Sequence, residues 1–65
     1  MKSRKYIQKT TLVSDGKQVT VYVFYDENDI KDVCVPGDMM SVMDKLTLRQ
    51  LNSLRRRLKI GKHVQ

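Results

Sequence analysis

The chain has 65 residues and a net charge of +6, with 40% apolar residues, no tryptophan, one phenylalanine and one cysteine. A domain this small buries only about 60% of the surface its unfolded chain exposes, so its core is modest, and a homodimer or a larger partner could supply missing burial. Such a chain has almost no interior to spare for a catalytic pocket, and the lone Cys34 rules out the intramolecular disulfides on which small secreted domains depend.

The first residues, Met1-Lys2-Ser3-Arg4-Lys5, are basic but run into Tyr6, Gln8, Lys9 and Thr10 rather than into an apolar signal core. No apolar run approaches the roughly 18 residues a membrane span requires. The expectation is a cytoplasmic protein without a membrane partner, one domain over residues 1–65 with flexible ends at 1–4 and 62–65.

Residues 6–13 and 18–25 are rich in β-branched and aromatic side chains and flank Ser14-Asp15-Gly16-Lys17, a strong hairpin signal. In the second run Val19, Val21, Val23 and Tyr25 share one face and Gln18, Thr20, Tyr22 and Phe24 the other, which predicts a buried valine face. A bulged loop Ser14-Asp15-Gly16 would place Ile7, Thr11 and Val13 opposite the valines, whereas a two-residue turn would place Gln8, Thr10 and Leu12 there. The bulged register buries more apolar surface and is the expected one. Asp26-Glu27-Asn28-Asp29 reads as a polar turn, and residues 30–35 as a third strand ended by Pro36-Gly37.

Asp38 suits the N-cap of a short helix in which Met39, Val42, Met43 and Leu46 form one stripe, with Met40 the methionine best placed to be exposed. A second helix is marked by a capping box, Thr47 with Gln50, and a hydrophobic staple, Leu46 with Leu51. Its residues Leu48, Leu51, Leu54 and Leu58 fall within about 120° on a helical wheel, Ile60 lies off that stripe so that the helix loosens near Lys59, and Gly61 fits the position past the end. The predicted fold is therefore α+β: a three-stranded antiparallel meander followed by two C-terminal helices.

Charge is unevenly distributed: +4 over residues 1–25, −5 over residues 26–44 and +7 over residues 45–65, the last without an acid. On the second helix Arg49, Asn52, Arg56 and Lys59 lie within about 80° of one another. Arg55 and Arg57 flank them and Lys62 follows. Guanidinium groups bind phosphate oxygens bidentately, and Asn52 could read a base edge. Cations near a helix C-terminus also complement its dipole, which is the competing explanation of the cluster. These residues predict a nucleic-acid-binding regulator, DNA ahead of RNA, contacting its partner through Arg49, Asn52, Arg55, Arg56, Arg57, Lys59 and Lys62. The short connection between the predicted helices is similar to a helix-turn-helix. Residues 46–58, LTLRQLNSLRRRL, resemble the opening half of SAP-type DNA-binding modules, but the module's second helix has no room before Gln65, so no family is carried over.

Lys2, Arg4, Lys5, Lys9 and Lys17 make a second basic set, read first as solvated surface. Tyr22 and Phe24 could stack on unpaired bases or pack beneath the C-terminal helix. The acids Asp26, Glu27, Asp29 and Asp32 lack the glycine and distant glutamate of a calcium loop. No third group supports a Cys34–His63 nucleophile, and no glycine-rich phosphate loop occurs, so neither catalysis, a metal nor a cofactor is expected. The alternative function is a protein–protein module that inhibits or adapts a larger enzyme through its strand edge or its methionines.

Overall fold

The computed structural model describes residues 5–60. Three strands, β1 (Lys5–Ser14), β2 (Lys17–Asp26) and β3 (Ile30–Cys34), form an antiparallel sheet in the order β1-β2-β3. A 3-10 turn at Met43–Lys45 and a helix, α1 (Leu48–Leu58), follow. The class is α+β, as the sequence predicts.

The hairpin joins β1 to β2 through Asp15 and Gly16 alone, with Ser14 opposite Lys17. Both turn residues have positive φ, 53° and 76°, the arrangement whose twist matches that of the flanking strands. Space is no constraint at Gly16, where an added Cβ would meet nothing; its role is conformational. This overturns the expected bulged register. Leu12, Thr10 and Gln8 face the valine side, opposite Val19, Val21 and Val23, while Ile7 and Val13 are left 63% and 58% exposed on the other side. The loss of strand burial is tolerated because Leu12 closes the core against other elements, and Gln8 stays at the exposed end, where its Oε1 accepts from the Tyr25 hydroxyl at 3.3 Å.

Asp26 builds the connection to β3. Its Oδ1 accepts from the backbone N–H groups of Asn28 (2.8 Å) and Asp29 (3.0 Å), an Asx turn that satisfies amides with no strand partner. The pairing of β2 with β3 then shifts by one residue between Phe24 and Tyr25, which turns Ile30 into the core.

The predicted helix beginning at Asp38 does not form. Gly37 (φ 97°) and Met39 (φ 55°) are left-handed, and Asp38 Oδ1 accepts from Met40 N at 3.2 Å, a local bond that competes with helical hydrogen bonding. The chain instead doubles back along β3: Val35 N donates to Met40 O (3.0 Å), Val42 N donates to Val33 O (2.8 Å), and Cys34 bridges Ser41. Pairing with an open strand edge satisfies more backbone groups than a marginal two-turn helix would. Of the proposed stripe, Val42, Met43 and Leu46 still pack on the core, whereas Met39 is exposed; Met40, which lies outside that stripe, is exposed as expected.

The core lies on one side of the sheet. Leu12, Val21, Val23, Ile30 and Val33 meet Leu54 and Ile60 from the helix end, with Val19, Tyr25, Leu51 and Leu58 around them. Among the described residues no helix is long and apolar enough to cross a membrane.

Candidate nucleic-acid interface

The orientation of α1 decides which of its side chains meet solvent, and three local features set it. At the start, Gln50 N donates to Thr47 Oγ1 (3.1 Å) and Thr47 N donates to Gln50 Oε1 (2.9 Å), the reciprocal capping box read from the sequence. The Gln50 side chain also donates through Nε2 to Val13 O at 2.8 Å, tying the first turn to the hairpin. At the end, Lys59 adopts φ 59°, with Lys59 N donating to Arg56 O (3.3 Å) and Ile60 N to Arg55 O (3.1 Å). This Schellman closure brings Ile60 into the core beside Leu54, so an off-stripe isoleucine becomes a buried one. The left-handed position belongs to Lys59; Gly61, expected there, lies outside the described residues.

With Leu54 only 1% exposed beneath the helix, the opposite side carries Arg49, Asn52, Ser53 and Arg56, all exposed and lining one shallow depression. A groove on the hairpin side of the helix shares Arg49 and Ser53 and adds Arg57, Gln18, Thr11 and Val13. Arg57 and Lys59 are exposed as well. Among the described residues, no carboxylate pairs with Arg49, Arg56, Arg57 or Lys59.

Arg55 departs from the expectation. It is half-buried, with Nε 2.7 Å from Asp29 Oδ1 and Nη2 3.3 Å from Asp29 Oδ2, and its Nη1 donates to Asn52 Oδ1 at 2.7 Å. The acidic middle of the chain thus neutralises one of the three consecutive arginines and holds the carbonyl end of Asn52, leaving the Asn52 amide as its free donor. Wheel position groups Arg55 with the free cations but does not register which neighbouring loop meets it. Leu48, assigned to the apolar stripe, is 72% exposed, since the core begins one turn later at Leu51. Lys62, Lys2, Arg4 and His63, and with them the Cys34–His63 pair, lie outside the described residues.

Three acids of the middle segment, Asp26, Asp29 and Asp32, are committed to local structure. Hydrogen bonds from the backbone of Asp29 and Asn28, with a smaller contribution from Lys31, hold the Asp26 carboxyl below its ordinary pKa against the opposing effect of burial. Arg55 does the same for Asp29, and the Ser41 hydroxyl, donating at 2.6 Å, for Asp32. Burial, followed by the charge of Asp32, pushes the Cys34 thiol up. Among the described residues no three His, Cys, Asp or Glu side chains are grouped to hold a metal.

Tyr22 and Phe24 do not pack beneath α1. They belong to the side of the sheet away from the core and are half-buried by neighbours on their own face. Lys5, Lys9 and Lys17 are exposed along the hairpin.

Comparison with known proteins finds no match for this chain, whether among family models, curated proteins or solved structures.

Proposed function

We propose that this protein is a small nucleic-acid-binding regulator that sets the outer side of α1 against a phosphate backbone, duplex DNA ahead of RNA. The observation that supports this reading is the exposed group Arg49, Arg56, Arg57 and Lys59, unpaired with any carboxylate among the described residues and adjoining the Asn52 amide. A solvated face that merely complements the helix dipole would need cations only in the last turn; Arg49 stands in the first, where a positive charge is unfavourable to the helix. Arg49, Arg56, Arg57 and Lys59 supply phosphate contacts and Asn52 Nδ2 reaches a base edge or a phosphate oxygen.

The test is binding of a labelled random duplex to the parent and to the variant R49A/R56A/K59A. Weakened binding and a flattened salt dependence in a variant that remains folded support the reading; equal binding at several salt concentrations refutes it.

The second reading, a module that docks on a larger protein, is favoured by the exposed Met39 and Met40 beside the sheet. It predicts one stoichiometric protein partner in a pull-down that survives nuclease treatment.

A further inference from the structure

We infer that the face of the sheet away from the core is a second nucleic-acid surface, built for the unpaired bases of a single strand. The core cluster occupies the valine side; on the other side, among the described residues, Tyr22 and Phe24 are half-buried rather than enclosed, with buried Cys34 and exposed Met39 at the β3 margin of the face. Register places two rungs there side by side: Ile7–Phe24–Asp32 and Lys9–Tyr22–Cys34. Phe24 and Tyr22 are two residues apart on one strand, about 7 Å, with side chains on the same face. Two successive nucleotides with splayed bases can span that distance. A concavity beside Phe24 is further lined by Lys5, Ile7, Lys31 and Met39, which gives an apolar floor between cations.

Charge selects the occupant. Lys5, Lys9 and Lys31 surround the aromatic pair and are exposed. Lys31 sits 3.6 Å from Asp26, yet its side chain is 55% exposed and free to turn outward. Asp32 is the acid on these rungs, and its oxygens are taken by Ser41 Oγ (2.6 Å), Val33 N (2.9 Å) and Cys34 Sγ (3.7 Å). A second copy applied face to face would bring two patches of the same net positive charge together, because a two-fold interface matches each patch with itself. A single strand offers what the face lacks: flat apolar bases for Phe24 and Tyr22 and phosphates for the lysines. The Tyr22 and Phe24 rungs lie on the side of the sheet away from the core that α1 covers. Although Thr11 and Val13 of this face adjoin Arg49 and Arg57 at the hairpin end, neither aromatic lines that groove, so substitutions at the rings and at the helix cations test the two surfaces separately.

The experiment uses the full chain and a labelled oligothymidine of about ten nucleotides, within the span such surfaces cover, followed by fluorescence anisotropy at low salt. The parent binds, and Y22L/F24L, which keeps apolar side chains in the strand but removes both rings, binds about tenfold or more weakly, as loss of base stacking requires. Duplex affinity of Y22L/F24L stays at the parent's value, while R49A/R56A/K59A keeps its affinity for oligothymidine. Lys9→Glu, an exposed substitution that spares the aromatic rungs, also weakens single-strand binding and covers the case in which the double variant fails to fold. The inference is overturned if the parent does not bind oligothymidine, if Y22L/F24L or Lys9→Glu binds as tightly as the parent, if polyglutamate displaces the strand as well as unlabelled oligothymidine does, or if sedimentation shows a dimer that the strand does not dissociate.

Discussion

Arg55 and Arg56 are neighbours in sequence with opposite expected roles, and replacing each by alanine separates fold from binding. For duplex DNA each phosphate contact contributes about 0.9 to the slope of log affinity against log salt, so raising salt from about 50 to 200 mM costs about 3.5-fold per contact. Counting Arg49, Arg56, Arg57 and Lys59 as the contacts, the parent loses about 150-fold over that range, Arg56→Ala about 40-fold and R49A/R56A/K59A about 3.5-fold. Arg55→Ala keeps the parent's slope, because its guanidinium already faces Asp29. Its cost appears in stability instead. The pair is bidentate but Asp29 is 43% exposed, so solvent screening limits that cost to about 0.5–1 kcal/mol. Anisotropy titrations at four salt concentrations, with urea denaturation of the same variants, measure both quantities. A reduced slope for Arg55→Ala together with an unchanged slope for Arg56→Ala would refute the assignment of free and neutralised arginines.

Other substitutions test the fold that presents this face. Leu54→Ala, at the closest approach of helix and sheet, is expected to cost about 2–5 kcal/mol, a large fraction of the total for a domain of this size, and to leave the chain largely unfolded by circular dichroism. Thr47→Ala removes the cap and should cost about 1 kcal/mol in urea denaturation, with no change in the slope of salt dependence. Asp26, Asp29 and Asp32 all titrate below the ordinary aspartate value of 3.8 when folded. Their contribution is therefore complete above that value and lost as pH falls below it, through the lower folded-state range, because the unfolded chain takes up protons first. Thermal unfolding should show a melting temperature that is flat near neutrality and falls below about pH 4, with a shallower fall in Asp26→Asn; a melting temperature indifferent to acid would contradict the hydrogen bonding described for these carboxylates.

Short-range signals make several elements legible in the sequence. Asp15-Gly16 between two β-rich runs specifies the hairpin, and the Thr47–Gln50 box specifies the start of α1, because each is an arrangement whose hydrogen bonds or backbone angles involve neighbours in the chain. The exposure of Arg49 and Arg56 follows from their position on the wheel opposite Leu54. The segment after Pro36 is not legible in this way. Its apolar spacing fits a helix, but the free edge of β3 offers backbone partners that spacing cannot register, and two left-handed residues commit the chain to that edge.

Two long strands about a tight turn, a third short strand, a capped helix and an arginine-rich outer side to that helix are all encoded by residues close together along the chain. The side of the sheet on which the core lies, the pairing of Arg55 with Asp29 across 26 residues of chain, and the half-buried state of Tyr22 and Phe24 on the opposite side arise only when the elements meet. The division has a physical cause. Periodicity reports which residues of one element share a face, but whether that face is covered, and by which charge, depends on contacts between elements distant in sequence.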